Sequence, residues 1–422
     1  MAEFDRLTNQ TKYKQTLKQY FALAESVYPG FSNVLLFYFL KLNEGLSYGY
    51  AAARAYTAYQ DPDFLDLAVT SWTSARRYTI SKEQAVSGNI DANQSNLTSC
   101  QGATLTGGTY MSAVSNRTIL DSFASSFFLV VSALLAEATS NRTYLDAAIE
   151  SANFIQSHLL NPSNTVMALM APTSNESCSV DSSVYAPQCG LFIEGLVILA
   201  DITRNTSTEA LLRSTVVAVL ADTLWQGLDG IITAMDTGGH YIVRALAALY
   251  ERNTTTSDLR EYIKEYIGVQ YNAVVEHTTS GGSNIYGTPW TGPPSTSFSS
   301  VNQTVAMSAL LSAIQLIDDQ PLSKSSDNPT SSHSSTASAT TPPLSPKKNA
   351  TGAIVGGVVG GLAVLVLTIV CVTVLLCRRR HRQRNHTPIV VDESSPTNNH
   401  SFHGYVSSRD IRRAPYKSDE KC

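Results

Sequence analysis

Apolar residues return every three or four positions through most of the stretch from Thr11 to Asp318, with few strict alternations, a pattern that predicts helices rather than strands. The periodicity places helices near residues 12–26, 33–42, 46–60, 63–79, 118–139, 143–159, 188–203, 208–225, 238–251, 256–275 and 300–318. At four places an apolar helix ends, a short polar turn follows and a more amphipathic helix begins: residues 55–72, 134–152, 198–216 and 246–266. Each reads as a helical hairpin whose first member is the more uniformly apolar, as in Leu191, Phe192, Ile193, Leu196, Val197 and Ile198, and is therefore expected to be buried behind the second. Asp61, Ser140, Thr206 and Thr255 are the expected caps of the second helices. The hairpins recur at irregular intervals of roughly 50 to 80 residues, which argues against a uniform solenoid and for a closed toroid with long loops on one rim.

The pattern changes twice after Asp318. Residues 319–351 are rich in Ser, Thr and Pro, cannot bury a core, and read as a stalk. Residues 352–377 then carry no charge and are long enough to cross a hydrocarbon layer of roughly 30 Å as a helix. Arg378, Arg379, Arg380, Arg382 and Arg384 follow directly, so the positive-inside rule puts residues 378–422 in the cytoplasm as a polar, disordered tail and residues 1–318 outside. Gly356, Gly357, Gly360 and Gly361 include small-xxx-small pairs that would let two such helices pack closely as a weak homodimer. The expected location is a single-pass plasma-membrane protein with an external domain.

Charge and modification signals fit that division. The net charge of −4 splits into ten Lys/Arg against five Asp/Glu after Cys377, and 20 against 29 before Gly352. An acidic external domain argues against a nucleic-acid partner. Ten N-x-S/T acceptors lie before the membrane segment, at Asn9, Asn93, Asn96, Asn116, Asn141, Asn175, Asn205, Asn253, Asn302 and Asn349. The first residues contain no apolar signal-peptide core, so a leader upstream of Met1 is expected. Cys178 and Cys189 bracket a short loop and are the expected disulfide, which leaves Cys100 without an evident partner. The eight histidines are dispersed and neither H-x-x-x-H nor C-x-x-C occurs, so no metal or other cofactor is expected.

The expected rim loops gather glycines and aromatics at helix starts: residues 100–112, 185–195, 227–246 and 286–298. Aromatic faces stack on pyranose rings while nearby polar groups bond hydroxyls, so this mixture suits a sugar cleft. At these loops the chain resembles glycoside hydrolase family 76, the α-1,6-mannanases, and especially its membrane-anchored fungal relatives. The similarity runs over most of residues 40–315. It rests on YGYAAARAYTAYQDPDFLDLA, on Gly107-Gly108-Thr109-Tyr110, on Tyr185 to Gly195 and on Asp236 to Leu246, in that order. The resemblance implies an all-α (α/α)6 barrel acting on mannan or on mannose-bearing cell-wall glycans, by hydrolysis or transglycosylation. Together the loops and these motifs make Tyr48, Tyr110, Tyr185, Glu194, His240, Arg244 and Trp290 the candidate cleft residues.

One departure bears on the chemistry. The family places two adjacent aspartates ahead of a Trp-Trp pair, as nucleophile and acid/base. Aligned through Arg54-Ala55-Tyr56, this chain has Asn43-Glu44 at the pair and Ser47-Tyr48 at the tryptophans. Glycoside hydrolysis normally uses two carboxyls, and Asn43 supplies none. Glu44 is then the candidate acid/base, with Asp236 or Glu194 as substitute carboxylates. Glu194 stands alone among apolar neighbours and, if buried, needs a partner or a raised pKa; Arg244 and His240 are the nearest candidates in sequence pattern. The alternative to an enzyme is a catalytically inactive toroid that binds mannan, tethers wall to membrane or senses it.

Overall fold

The computed structural model describes residues 1–31, 35–36, 39–40, 42–88, 99–113, 118–174, 177–233, 238–252 and 257–316. The chain divides into units Met1–Ser332 and His333–Cys422; residues 317–422, with the expected stalk, membrane helix and tail, lie outside the described residues.

Six helices form an inner ring: α1 (Ala2–Leu7), α3 (Leu42–Tyr59), α6 (Ser122–Thr139), α8 (Ala186–Thr203), α10 (His240–Glu251) and α12 (Ser300–Ile314). Each packs on the next, and α12 returns to α1, so the ring closes. Outside it lie α2 (Lys14–Val27), α4 (Pro62–Arg76), α7 (Arg142–Phe154), α9 (Thr206–Ala221) and α11 (Ser257–His277). The division follows from the width of the apolar surface. In α9 the buried positions are Leu212, Thr215, Val216, Val219 and Leu220, one stripe at helical spacing. In α6 and α8 burial continues around the helix, from Ala124 to Ala136 and from Cys189 to Ala200, because these helices have neighbours on both sides. Both are long and apolar enough to cross a membrane by composition, yet here they serve as core helices.

Three hairpins use the same two-residue turn. Gln60, Ser140 and Arg204 take positive φ (50°, 55° and 53°), and each is followed by an extended residue, Asp61, Asn141 or Asn205, that caps the outer helix. The cap oxygens accept N–H groups of Asp63, Thr143 and Ser207, satisfying donors that the first helical turn leaves open. Ser140 and Thr206 are therefore not the caps the sequence suggested: Ser140 ends the inner helix, and Thr206 is already helical. Thr255 lies outside the described residues.

All these turns lie at one end of the ring, the base, and ion pairs tie it together. Arg252 bridges Glu137 of α6 and Asp201 of α8, while Arg6 bonds Glu3 and Glu251. Lys14 and Lys18 both reach Asp61, at 2.8 and 2.7 Å, fixing α2 over the first turn and holding the Asp61 carboxyl well below its ordinary range.

Three further expectations change. The helix read at 33–42 is replaced, where described, by a short antiparallel pair, β1 (Leu35–Leu36) with β2 (Phe39–Leu40). A short capped helix, α5 (Lys82–Ser87), precedes a second small pair, β3 (Ser99–Cys100) with β4 (Ala103–Thr104). A three-stranded antiparallel sheet, β5 (Leu120–Asp121), β6 (Met167–Ser174) and β7 (Ser177–Val184), fills the connection from α7 to α8. This last element redirects the disulfide. From Cys178, β7 runs six residues to Val184, about 20 Å of extended chain, before α8 begins. Cys178 instead meets Cys100, with Cα atoms 6.1 Å apart, and Cys189 is a free, buried thiol that accepts the Val166 N–H.

Candidate functional site

Because each inner helix is joined to the next through an outer one, the inner helices run the same way, and the N-termini of α3, α6, α8, α10 and α12 meet at the end opposite the hairpin turns. That end is a mouth whose rim is made by Asn43 and Glu44 on α3, Phe123 on α6, Tyr185 and Gln188 at the start of α8, and His240 and Tyr241 on α10. The first turns of α8 and α10 approach backbone to backbone, since a Cβ on Gly190 would lie 2.5 Å from the Tyr241 carbonyl carbon. Glycine is the residue that such an approach requires.

Aromatic rings line the mouth. On the face of α3 turned towards α4, Tyr48 stacks on Phe31, with centroids 5.2 Å apart, and Gly45 lets the Phe31 carbonyl come against α3. Tyr241 meets Phe123 and Phe127 edge to face at 6.0 and 6.1 Å, and Tyr50 continues the series below through Phe127.

Tyr50 lies seven residues along α3 from Asn43, about 10 Å deeper. Here the axis of the ring is closed by charge. Glu194 is 0% exposed. Its Oε1 accepts from the Tyr50 hydroxyl at 2.8 Å and from Arg54 Nη2 at 2.6 Å, and its Oε2 accepts from Arg244 Nε at 3.1 Å. The Arg244 guanidinium also lies between two rings, 4.4 Å from Tyr50 and 4.6 Å from Tyr241. Burial alone pushes the Glu194 carboxyl up, but Arg244, Arg54 and the Tyr50 hydroxyl outweigh it and hold the group below its ordinary value. Glu194 is thus an ionised strut with its oxygens occupied, and has no proton to donate to a leaving group.

The other sequence candidates divide. Glu44 is half-buried at the mouth and accepts from the Asn43 amide at 3.2 Å; Asn43 is 7% exposed. Tyr48, Arg244 and His240 lie at or below the rim, and Tyr185 is 43% exposed beside it. Tyr110 and Trp290 are 1% and 0% exposed and offer no stacking face. Tyr110 sits in a segment clamped between α4 and α7: Tyr110 N–H bonds the Tyr78 carbonyl, and Gly107 lies against the backbone at Glu150. Asp236 lies outside the described residues. The sequence reading missed Tyr50, Arg54, Phe123, Phe127 and Tyr241. The available signal was Tyr50 and Arg54 four apart on the inner face of a helix, where a cation has no solvent to meet.

Gln188 Oε1 and His240 Nδ1 are buried at the rim without a hydrogen-bond partner among the described residues. Burial pulls the His240 imidazole down to about 4, with Arg244 adding to the effect. The unfolded chain, with the ordinary value of 6.5, takes up this proton first as pH falls. His240 therefore contributes stability above about pH 6.5 that is lost towards pH 4, by at most ~3 kcal/mol. Thermal midpoints at pH 7, 5.5 and 4.5 should show a smaller acid loss for His240→Gln than for the wild type; equal losses would place the titration elsewhere.

The sequence profile of glycosyl hydrolase family 76 matches residues 113–330, just over half of the chain. The chain belongs to glycosyl hydrolase family 76. Solved structures of family 76 share its fold, the (α/α)6 barrel. The α-1,6-mannanase of Salegentibacter sp., in complex with α-1,6-mannotriose, is 13% identical, covering 74% of this chain and 86% of its own, with a TM-score of 0.59. It was solved as an inactive variant with two consecutive aspartates changed to asparagine. Dfg5 of Chaetomium thermophilum in complex with glucosamine is 14% identical over 75% of this chain and 78% of its own, with a TM-score of 0.55. A family 76 α-mannanase of Bacteroides thetaiotaomicron is 19% identical over 66% and 71%, with a TM-score of 0.50. No curated protein matches the chain. The fold is that of mannan-acting glycoside hydrolases, and the ring of hairpins read from the sequence is the family's barrel.

Proposed function

We propose that this chain is a cell-surface mannan receptor on a glycosidase scaffold, which holds α-1,6-linked mannose at the mouth of the barrel without cleaving it. The observation that carries the reading is the Asn43 amide donating to Glu44, at the position where the resemblance expects the first of two aspartates. A retaining mechanism needs a second carboxyl to attack, and a buried amide is a poor nucleophile that cannot relay a proton. The Salegentibacter mannanase, inactive with asparagines at consecutive aspartates yet complexed with mannotriose, illustrates how such a barrel keeps its ligand when the carboxyls are gone.

Binding has its own support. Phe123 and Tyr241 supply faces for pyranose rings, and the Gln188 carbonyl and His240 imidazole are polar groups for sugar hydroxyls. The apolar segment 352–377 with its arginine cluster would anchor the barrel at the plasma membrane, mouth outside, through the stalk at 319–351.

A second reading, hydrolysis or transglycosylation through Glu44 with Asp236, is favoured by the half-exposed position of Glu44 at the mouth. Long incubation of the detergent-solubilised chain with α-1,6-mannotetraose, followed by chromatography, separates the two. The receptor reading expects neither shorter nor longer oligosaccharides above background. Products that disappear in Glu44→Gln or Asp236→Asn would establish the enzyme instead.

A further inference from the structure

Four of the N-x-S/T acceptors lie on described residues, and they are not scattered. Asn9, Asn141 and Asn205 are exposed and lie at the base of the barrel, in the turns from α1 to α2, α6 to α7 and α8 to α9. Asn302 is different: it is half-buried inside the first turn of α12, at the mouth end, with its N–H bonded to Ser299.

The geometry at two of the base sites leaves the reacting atom free. Asn141 Oδ1 accepts from Thr143 N at 2.9 Å, and Asn205 Oδ1 accepts from Ser207 N at 2.9 Å and Thr208 N at 3.1 Å. The oxygen faces the helix while Nδ2 carries no bond to the protein among the described residues, so capping and substitution at nitrogen are compatible. The turn from α3 to α4 has the same backbone with Asp61 as its cap, and there Lys14 and Lys18 of α2 occupy the space outside it. Asparagine stands where these turns are open and aspartate where a helix covers one.

We propose that, among the acceptors on described residues, Asn9, Asn141 and Asn205 carry N-linked oligosaccharides at the base of the barrel and Asn302 does not. In each transfer a bond forms between Asn Nδ2 and the anomeric carbon of an N-acetylglucosamine. The bond from that carbon to the phosphate oxygen of a lipid-pyrophosphate donor breaks, the lipid pyrophosphate leaves, and the amide gives up one proton. The folded barrel must then accommodate the product, which an exposed cap does and the interior of α12 does not. This inference rests on the external location proposed above.

The test separates the two. The full chain is expressed in a eukaryotic secretory host, once as it stands and once behind an added leader, and occupancy is mapped by mass spectrometry after enzymatic deglycosylation in heavy-oxygen water. With the leader, Asn9, Asn141 and Asn205 should be occupied and Asn302 bare. Asn141→Asp and Asn205→Asp, which keep an acidic cap, should each remove one glycan's mass with little change in thermal midpoint. Occupied Asn302, or bare Asn141 and Asn205 behind the leader, would overturn the proposal. If the three sites are occupied in the leader form, but the chain isolated from its native cells is bare, the external location fails while the acceptor assignment stands.

Discussion

Glu194→Leu should destabilise the barrel by ~3–5 kcal/mol and lower its thermal midpoint by about 10 °C, the largest loss expected from any one side chain here. The reason is charge rather than volume. Among the described residues Glu194 is the carboxylate bonded to both Arg54 and Arg244, and leucine leaves two largely buried guanidinium groups without it, with Glu3 adding an opposite charge only near Arg54. Glu194→Gln keeps the shape and should still cost most of that amount, since an amide does not neutralise a cation. If leucine also replaces Arg54 and methionine replaces Arg244, stability should largely return, because exchanging a whole buried ion cluster for apolar groups is often near neutral. Denaturant unfolding of the four proteins checks this. A loss under about 1 kcal/mol for Glu194→Leu would mean that water, and not the carboxylate, solvates the arginines.

Gly190→Ala should cost the fold roughly 1–3 kcal/mol and weaken mannan binding about tenfold. In an ordinary helix interior the change would be favourable by ~1 kcal/mol. Here the new methyl group meets backbone atoms of Tyr241 and Ile242 at 2.5 to 2.7 Å, and backbone cannot rotate aside as a side chain would. The first turns of α8 and α10 must separate, carrying Tyr241 away from Phe123 and Phe127. Equilibrium unfolding and a sugar titration on the same sample measure both parts, and a stabilised variant with unchanged affinity would refute the close packing.

The inner and outer helices were legible because burial on one or two sides leaves its mark in the width of the apolar stripe, as the contrast between α8 and α9 shows. Glu194 was legible for a related reason: an acid among Phe192, Ile193 and Leu196 demands a partner wherever it lies. Its partner Arg244 was within reach of pattern, but Arg54 and Tyr50 come from a helix 140 residues away, and no local spacing predicts that the two faces meet. Trp290 shows the opposite error. An aromatic in a Gly/Pro-rich loop has the composition of a sugar platform, yet this one is turned entirely inward. The stretch at 35–40 was read as helix because a short apolar run carries no period that distinguishes helix from strand. The disulfide failed because proximity in sequence was taken for proximity in space, before the extended course of β7 was known.

On the function proposed above, the aromatic mouth binds α-1,6-linked mannose although an amide stands where the first carboxyl of the pair is expected. The most direct measurement is a calorimetric titration of the full chain with α-1,6-mannotetraose, for the wild type and for Tyr241→Ala. Saturable binding at one site per chain, weakened at least tenfold by Tyr241→Ala, is the predicted result. Absence of binding in the wild type, or binding that Tyr241→Ala leaves unchanged, would contradict it.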